Sequence, residues 1–120
     1  MRRLIGENNY RERSEHVRSF GAELQEVAEQ FVFEEVWMRE GLDWRSRSLL
    51  CLGALTARGM WRPLRLHLHG AFNNGLTETE IREAIIHLAV YCGFPNASEA
   101  NHVVEQVLAE RRRPEPDAKE

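Results

Sequence analysis

Histidines, arginines and carboxylates set among apolar helical residues are the side chains of this sequence that could do chemistry. His67 lies in LRLHLHGAFNNG, where Gly70 and Asn74 follow it along one helical edge. Gly70 removes a side chain one turn away and leaves room for a neighbouring backbone or a small ligand. His69 is two positions on and points about 200° away, so the HLH triplet is a poor chelate and no metal is expected. His87 stands in EAIIHLAVYCG beside Glu83, Ala84 and Tyr91. Either histidine alone reads as a satisfied structural residue. Two of them at the margins of apolar faces on adjacent helices make a candidate site, because imidazole exchanges protons near neutral pH. His16 and His102 read as surface residues.

Arg47, Ala54 and Arg58 share one helical edge near Cys51. A cation on an apolar helix needs a partner, either a carboxylate of the protein or a bound anion. Glu34 and Glu35 close an apolar helix, placed either to face inward or to be solvated. Cys51 and Cys92 sit in apolar segments and form no CxxC. They read as inert core thiols in a reducing compartment.

The elements that must position these residues are helices. Ser14 can cap the first, in which Val17, Phe20, Leu24, Val27 and Phe31 recur at spacings of three and four. It reaches Met38, and Gly41 ends it. Trp37 and Trp44 flank that turn as packing anchors. Asp43 caps the second helix, which stops at Gly59. Its apolar residues point in nearly every direction, as in a central, buried helix. Pro63 suits the first turn of the third, and Asn74-Gly75 is a stop signal. Thr77 and Glu80 form a capping box for the fourth, which ends at Gly93. Pro95-Asn96 opens the fifth, with Ala100, Val103, Val104, Val107 and Leu108 on a helical period. No segment alternates with period two, so no sheet is expected. The second and fourth helices are too apolar for an isolated chain, and their surplus implies burial between subunits.

The chain has 120 residues, 42% of them hydrophobic, enough for one domain with a real core. Residues 1–13 read as an N-terminal arm, 14–110 as the helical domain and 111–120 as a charged, solvated tail. The net charge of −3 offers no electrostatic reason for nucleic-acid binding. The N-terminus has no apolar signal-peptide core, and no run approaches the roughly 20 residues of a membrane span. A cytoplasmic protein without a membrane partner is expected.

The runs RSRSLLCLGALTARG and LHLHGAFNNGLTETEIREAIIHLAVYCGFPNA resemble the carboxymuconolactone decarboxylase family, as does the upstream EVWMREGLDWRSRS. The resemblance spans about residues 31–108, with His67, Ala71 and Gly75 and the stretch His87 to Pro95 as its sharpest matches. It implies an alkylhydroperoxidase-like, all-α fold of five to six helices around a central helical hairpin, assembled as a homo-oligomer, a trimer or hexamer. The peroxidase branch of that fold uses CxxCxxxH. Here His67 matches the histidine, but Met60 and Pro63 occupy the cysteine positions, so disulfide-based chemistry has no nucleophile. His69 stands where the decarboxylase branch has arginine.

The resemblance implies decarboxylation of 4-carboxymuconolactone to 3-oxoadipate enol-lactone in aromatic-acid (protocatechuate) catabolism. No cofactor is expected, because the ring alkene and lactone carbonyl accept the electrons left by CO₂. On this reading His67 protonates ring carbon, Glu35 orients or recharges it, and His87 donates to the developing oxyanion. Arg47 or Arg39, with Tyr91, holds the remaining carboxylate. The alternatives are a related enzyme on another lactone or enolisable acid, and a non-catalytic oligomeric binding protein of the same fold.

Overall fold

In a computed structural model, residues 20–112 are described, and every structural statement below concerns them. Ser14, His16, Val17, the expected arm and the end of the expected tail lie outside that range. The order is α1 (Ala22–Ala28), running directly into a π-helix (Glu29–Trp37), then α2 (Trp44–Ala57), α3 (Trp61–Asn73), α4 (Glu78–Cys92) and α5 (Phe94–Arg112). The described chain is all-α, as expected, with no strand.

The first rod departs from the simple periodic pattern. The i→i+5 winding after Glu29 turns Val32 and Phe33 inward, against buried Trp37. Phe20, Leu24, Val27 and Phe31, expected as the apolar face of one α-helix, stay in solvent at 103, 77, 63 and 63% exposure. The cause is tertiary. Trp44 Nε1 donates to the Trp37 carbonyl at 2.8 Å, and the two indoles meet edge to face with centroids 6.4 Å apart. Docking Trp37 on α2 therefore decides which face of the rod turns in.

The capping signals act in part. Asp43 takes the N-cap position of α2, but its side chain makes no capping hydrogen bond. Gly75, at φ +96°, ends α3 in a backbone conformation that side chains rarely adopt. The Thr77–Glu80 capping box is complete: Glu80 N donates to Thr77 Oγ1 at 3.1 Å and Thr77 N to Glu80 Oε1 at 2.9 Å. Arg45 also donates to Glu80 at 2.6 Å and ties the start of α2 to that first turn.

The core is built from Leu52 on α2, Leu64, Leu68 and Ala71 on α3, Ile81 and Ile85 on α4, and Val107 on α5. Helix α3 packs on α2 and α5, and α4 packs on the same two helices. The capped α3–α4 pair is thus joined chiefly through its neighbours. Helix α2 is less enclosed than its composition suggests. Ser48, Leu52 and Thr56 are buried, whereas Leu49 and Leu50 remain 40 and 64% exposed.

A polar clamp closes the other side of α3. His69 Nε2 lies 2.8 Å from Glu110 Oε1, and Arg65 Nε donates to Glu110 Oε2 at 3.0 Å. Arg111, expected in the solvated tail, is helical. It reaches His69 Nδ1 at 3.3 Å, donates to Asn73 Oδ1 at 3.0 Å, and lies 5.1 Å above the Phe72 ring centre. Because a guanidinium can only donate, Nδ1 is the acceptor and the ring is neutral, with its proton on Nε2.

Burial lowers the His69 pKa, aided by Arg111 and Arg65 and outweighing the opposite pull of Glu110. Burial also raises that of Glu110, but the hydrogen bonds from His69 and Arg65 outweigh it and hold the carboxyl below its usual range. A histidine depressed below its unfolded value near 6.5 stabilises fully above that pH and loses stability as pH falls toward its folded value. Glu110 adds a separate loss below its unfolded value of 4.5. Thermal unfolding should therefore show a falling Tm from pH 7 to 5, and His69→Gln should flatten that slope. A wild-type Tm constant across this window would show that His69 is not the titrating clamp. In the core, Leu68→Ala should cost about 2–5 kcal/mol in urea unfolding. Leu50→Ala should lie within about 0.5 kcal/mol of wild type.

Candidate active site

The candidate site grows from the facing sides of α2 and α3. Asn74 Nδ2 donates to buried Ser48 Oγ at 3.2 Å, a bond between helix neighbours of His67 and of Arg47. Cys51 on α2 and Leu66 on α3 both pack against Trp37. The two helices are therefore held together on both sides of the stretch that carries His67, which is half-buried. Gly70 is buried, leaving the space beside His67 free of a side chain from that position. Asn74 Oδ1 is a buried acceptor with no partner.

Arg47 is half-buried one turn before Cys51. It braces the turn ahead of α2: Nε donates to the Leu42 carbonyl at 3.1 Å, and Nη2 to the Arg39 carbonyl at 3.2 Å. The partner this cation required is thus, in part, backbone. The side chain of Arg39 is exposed in the same turn, and Glu35 is exposed on the π-helix two positions before Trp37. On α4, the rings of His87 and Tyr91 meet tilted at 43° with centroids 5.0 Å apart, both exposed, Tyr91 at 75%.

Among the described residues the six candidates fall into two pairs and two single residues, and Glu35 stands apart on the π-helix. Arg47 and Arg39 share a turn, His87 pairs with Tyr91, and His67 stands on the α2–α3 seam. Glu35, Arg39, His87 and Tyr91 are open to solvent, so one chain does not enclose them together. A broad groove between α4 and α5, lined by Arg82, Ile85, Ile86, His102, Glu105 and Leu108 among others, contains none of the six.

The thiols, expected in the core, lie at its edge. Cys51 and Cys92 are half-buried and unbridged. Burial pushes the Cys51 thiol up, away from the reactive thiolate. His102 is a surface residue, 3.6 Å from Glu105. Sequence reasoning missed the partners of His69. Glu110 and Arg111 lie 41 and 42 positions away, and their RRR run reads locally as a solvated end. Among the described residues no cluster of three or more His, Cys, Asp or Glu side chains could hold a metal ion, and no helix is long and apolar enough to cross a membrane.

The seam makes a simple packing prediction. Trp44→Phe keeps the ring but removes the indole donor to the Trp37 carbonyl. It should cost about 1 kcal/mol in urea unfolding. A stability equal to wild type would mean that water replaces the bond freely.

Comparison with known proteins agrees with this architecture. The family model for the carboxymuconolactone decarboxylase family matches residues 22–106. The chain is 45% identical over 97 residues to the nitrosuccinic acid decarboxylase npaB of Metarhizium robertsii, covering 76% of this chain and 68% of that protein. It is 36% identical over 105 residues to the 4-carboxymuconolactone decarboxylase of Acinetobacter baylyi, covering 88% of this chain and 78% of the relative. An uncharacterized 15.0 kDa protein of Paracoccus denitrificans is 36% identical over 80 residues, 65% of this chain and 60% of that one. With the helices, the capping box and the α2–α3 seam in place, the chain belongs to the carboxymuconolactone decarboxylase family.

Proposed function

We propose that this carboxy-lyase removes CO₂ without a cofactor from 4-carboxymuconolactone, yielding 3-oxoadipate enol-lactone in aromatic-acid (protocatechuate) catabolism. The observation that carries the reading is the 36% identity over 105 residues to a 4-carboxymuconolactone decarboxylase, and the Ser48–Asn74 bond supports the placement of the residues. That bond ties the His67 edge of α3 to the helix that bears Arg47. In this reaction the bond between the ring carbon and the carboxylate carbon breaks. Its electron pair passes through the alkene into the lactone carbonyl, and a proton then returns to ring carbon.

His67 donates that proton, and Glu35 orients or recharges the imidazole. His87 donates to the oxygen on which charge develops, with Tyr91 beside it. Arg47, steadied by the Leu42 and Arg39 carbonyls, holds the second carboxylate, with Arg39 next to it in the turn. The chain acts on a small carboxylate as a homo-oligomer, a trimer or hexamer.

A second reading has a specific support, the 45% identity to a relative named for nitrosuccinic acid. A nitro group, like a conjugated lactone, absorbs the electron pair left by CO₂, and this compound too keeps a second carboxylate. The same proton donor and carboxylate anchor serve both substrates, which differ in the acceptor.

The two readings separate when purified chain is given each acid in turn, with ultraviolet absorbance and CO₂ release as readouts. Turnover of the lactone is expected to dominate, and turnover of neither acid would overturn the reading. His67→Ala should lower kcat/KM by about 10²–10⁴-fold. Near-wild-type activity would remove His67 as the acid. Arg47→Ala should raise KM roughly 10- to 100-fold, and an unchanged KM at full activity would take it out of the site. Circular dichroism checks that its turn is retained.

A further inference from the structure

Asn73 and Asn74 stand side by side at the end of α3, and the fold treats their amides differently. Arg111 Nη2 donates to Asn73 Oδ1 at 3.0 Å. Asn74 Nδ2 donates to Ser48 Oγ at 3.2 Å, but Asn74 Oδ1 is buried and meets no donor. Ser48 is only 2% exposed, so the bond is fixed within the α2–α3 packing. An acceptor shut away from water without a partner loses its hydration and gains nothing in return. The end of the helix does not require it. Asn74 N donates to the Gly70 carbonyl at 2.9 Å, and Gly75 supplies the positive φ that stops α3.

The unmet oxygen belongs to the His67 side of the helix. His67, Gly70 and Asn74 occupy one edge of α3 at positions i, i+3 and i+7. Helical side chains lean toward the preceding turn, and for Asn74 that turn is Gly70, which carries none. Gly70 is about 4.5 Å along the axis from His67. The His69–Glu110 clamp engages another side of α3.

We infer that the Asn74 amide is a catalytic hydrogen-bond donor in the decarboxylation proposed above, a reading on which this inference rests, and that Ser48 aims it at the substrate oxygen that collects charge. A serine hydroxyl both donates and accepts, so Ser48 holds either end of a carboxamide. With the amide turned over, Ser48 Oγ donates to Asn74 Oδ1 and the N–H pair takes the unmet position. The direction of charge flow selects this orientation. The bond to the departing carboxylate carbon breaks, and its electron pair moves to the lactone carbonyl oxygen, or to a nitro oxygen in nitrosuccinic acid. A carbonyl oxygen of Asn74 facing that charge would repel it, whereas an N–H stabilises it. The amide keeps its proton, and the proton that returns to carbon comes from His67. Because Ser48 fixes the amide beforehand, little reorganisation accompanies the developing charge. Asn74 thereby adds a donor on the His67 edge itself to His87, which stands exposed on α4.

The test compares kcat and KM of the native chain, Asn74→Ala and Ser48→Ala on whichever of the two acids the native chain turns over. Both substitutions delete the same bond between α2 and α3, and only the first deletes the donor. Urea unfolding should show similar losses for the two. Asn74→Ala is expected to lower kcat about 10²–10³-fold with little change in KM, and Ser48→Ala no more than about 10-fold. The Asn74→Ala loss should be constant across the pH profile, since an amide does not titrate. Should Asn74→Ala fail to fold, Asn74→Asp keeps the shape and a bond from Ser48 but has no N–H, and should lose kcat to a similar degree. Equal kcat losses in the two alanine variants, or near-native kcat in Asn74→Ala or Asn74→Asp, would overturn the donor while leaving the decarboxylase reading intact. A native chain that turns over neither acid would overturn both.

Discussion

Helix α3 is held from two sides by different physics, and the placement of every candidate group follows from that. Leu64, Leu68 and Ala71 are driven into the core by apolar burial, which is non-directional. The opposite grip is directional. Glu110 takes His69 on one oxygen and Arg65 on the other, while Arg111 covers the far nitrogen of the same ring. With α5 fixing the rotation of α3 about its axis, the His67–Gly70–Asn74 edge has one place to go, the seam with α2.

The clamp also separates the two histidines that sequence sets side by side. His69 is enclosed, neutral and already engaged at both nitrogens. His67 lies on another side of the helix, on the edge where glycine rather than a bulky residue follows. A partly buried carboxylate gains from donors that meet its lone pairs. Here the donors that meet it come from the helix being positioned, so the same contacts that satisfy Glu110 orient α3.

The arrangement is complete around α3 and open around α1 and α4. The aromatic pair Trp37–Trp44 secures only the end of the first rod, through one indole hydrogen bond and one edge-to-face contact. Beyond it the rod leaves the core, so its apolar row and the carboxylates beside it face outward. The outer edge of α4 is equally apolar and equally uncovered. These surfaces lie open to solvent on the described chain.

Local chemistry was legible in the sequence. The stop at Gly75, the Thr77–Glu80 box, the break at Gly93 and the helical periods of α3 to α5 depend on neighbours within one turn, and they stand where the residues put them. The family, too, was readable from the ordered motifs around His67 and His87, as were Met60 and Pro63 at the positions where a peroxidase would carry thiols. Tertiary structure decided what spacing cannot encode. The first rod winds as a π-helix from Glu29 to Trp37, packs Trp37 against Trp44 and leaves its periodic stripe outside. Glu110 and Arg111 captured His69 from 41 and 42 positions away. Arg47 found carbonyl oxygens instead of a carboxylate. Caps and periods are settled by bonds that close within a turn, whereas the partner of a buried charge is settled only by which distant helix packs against it.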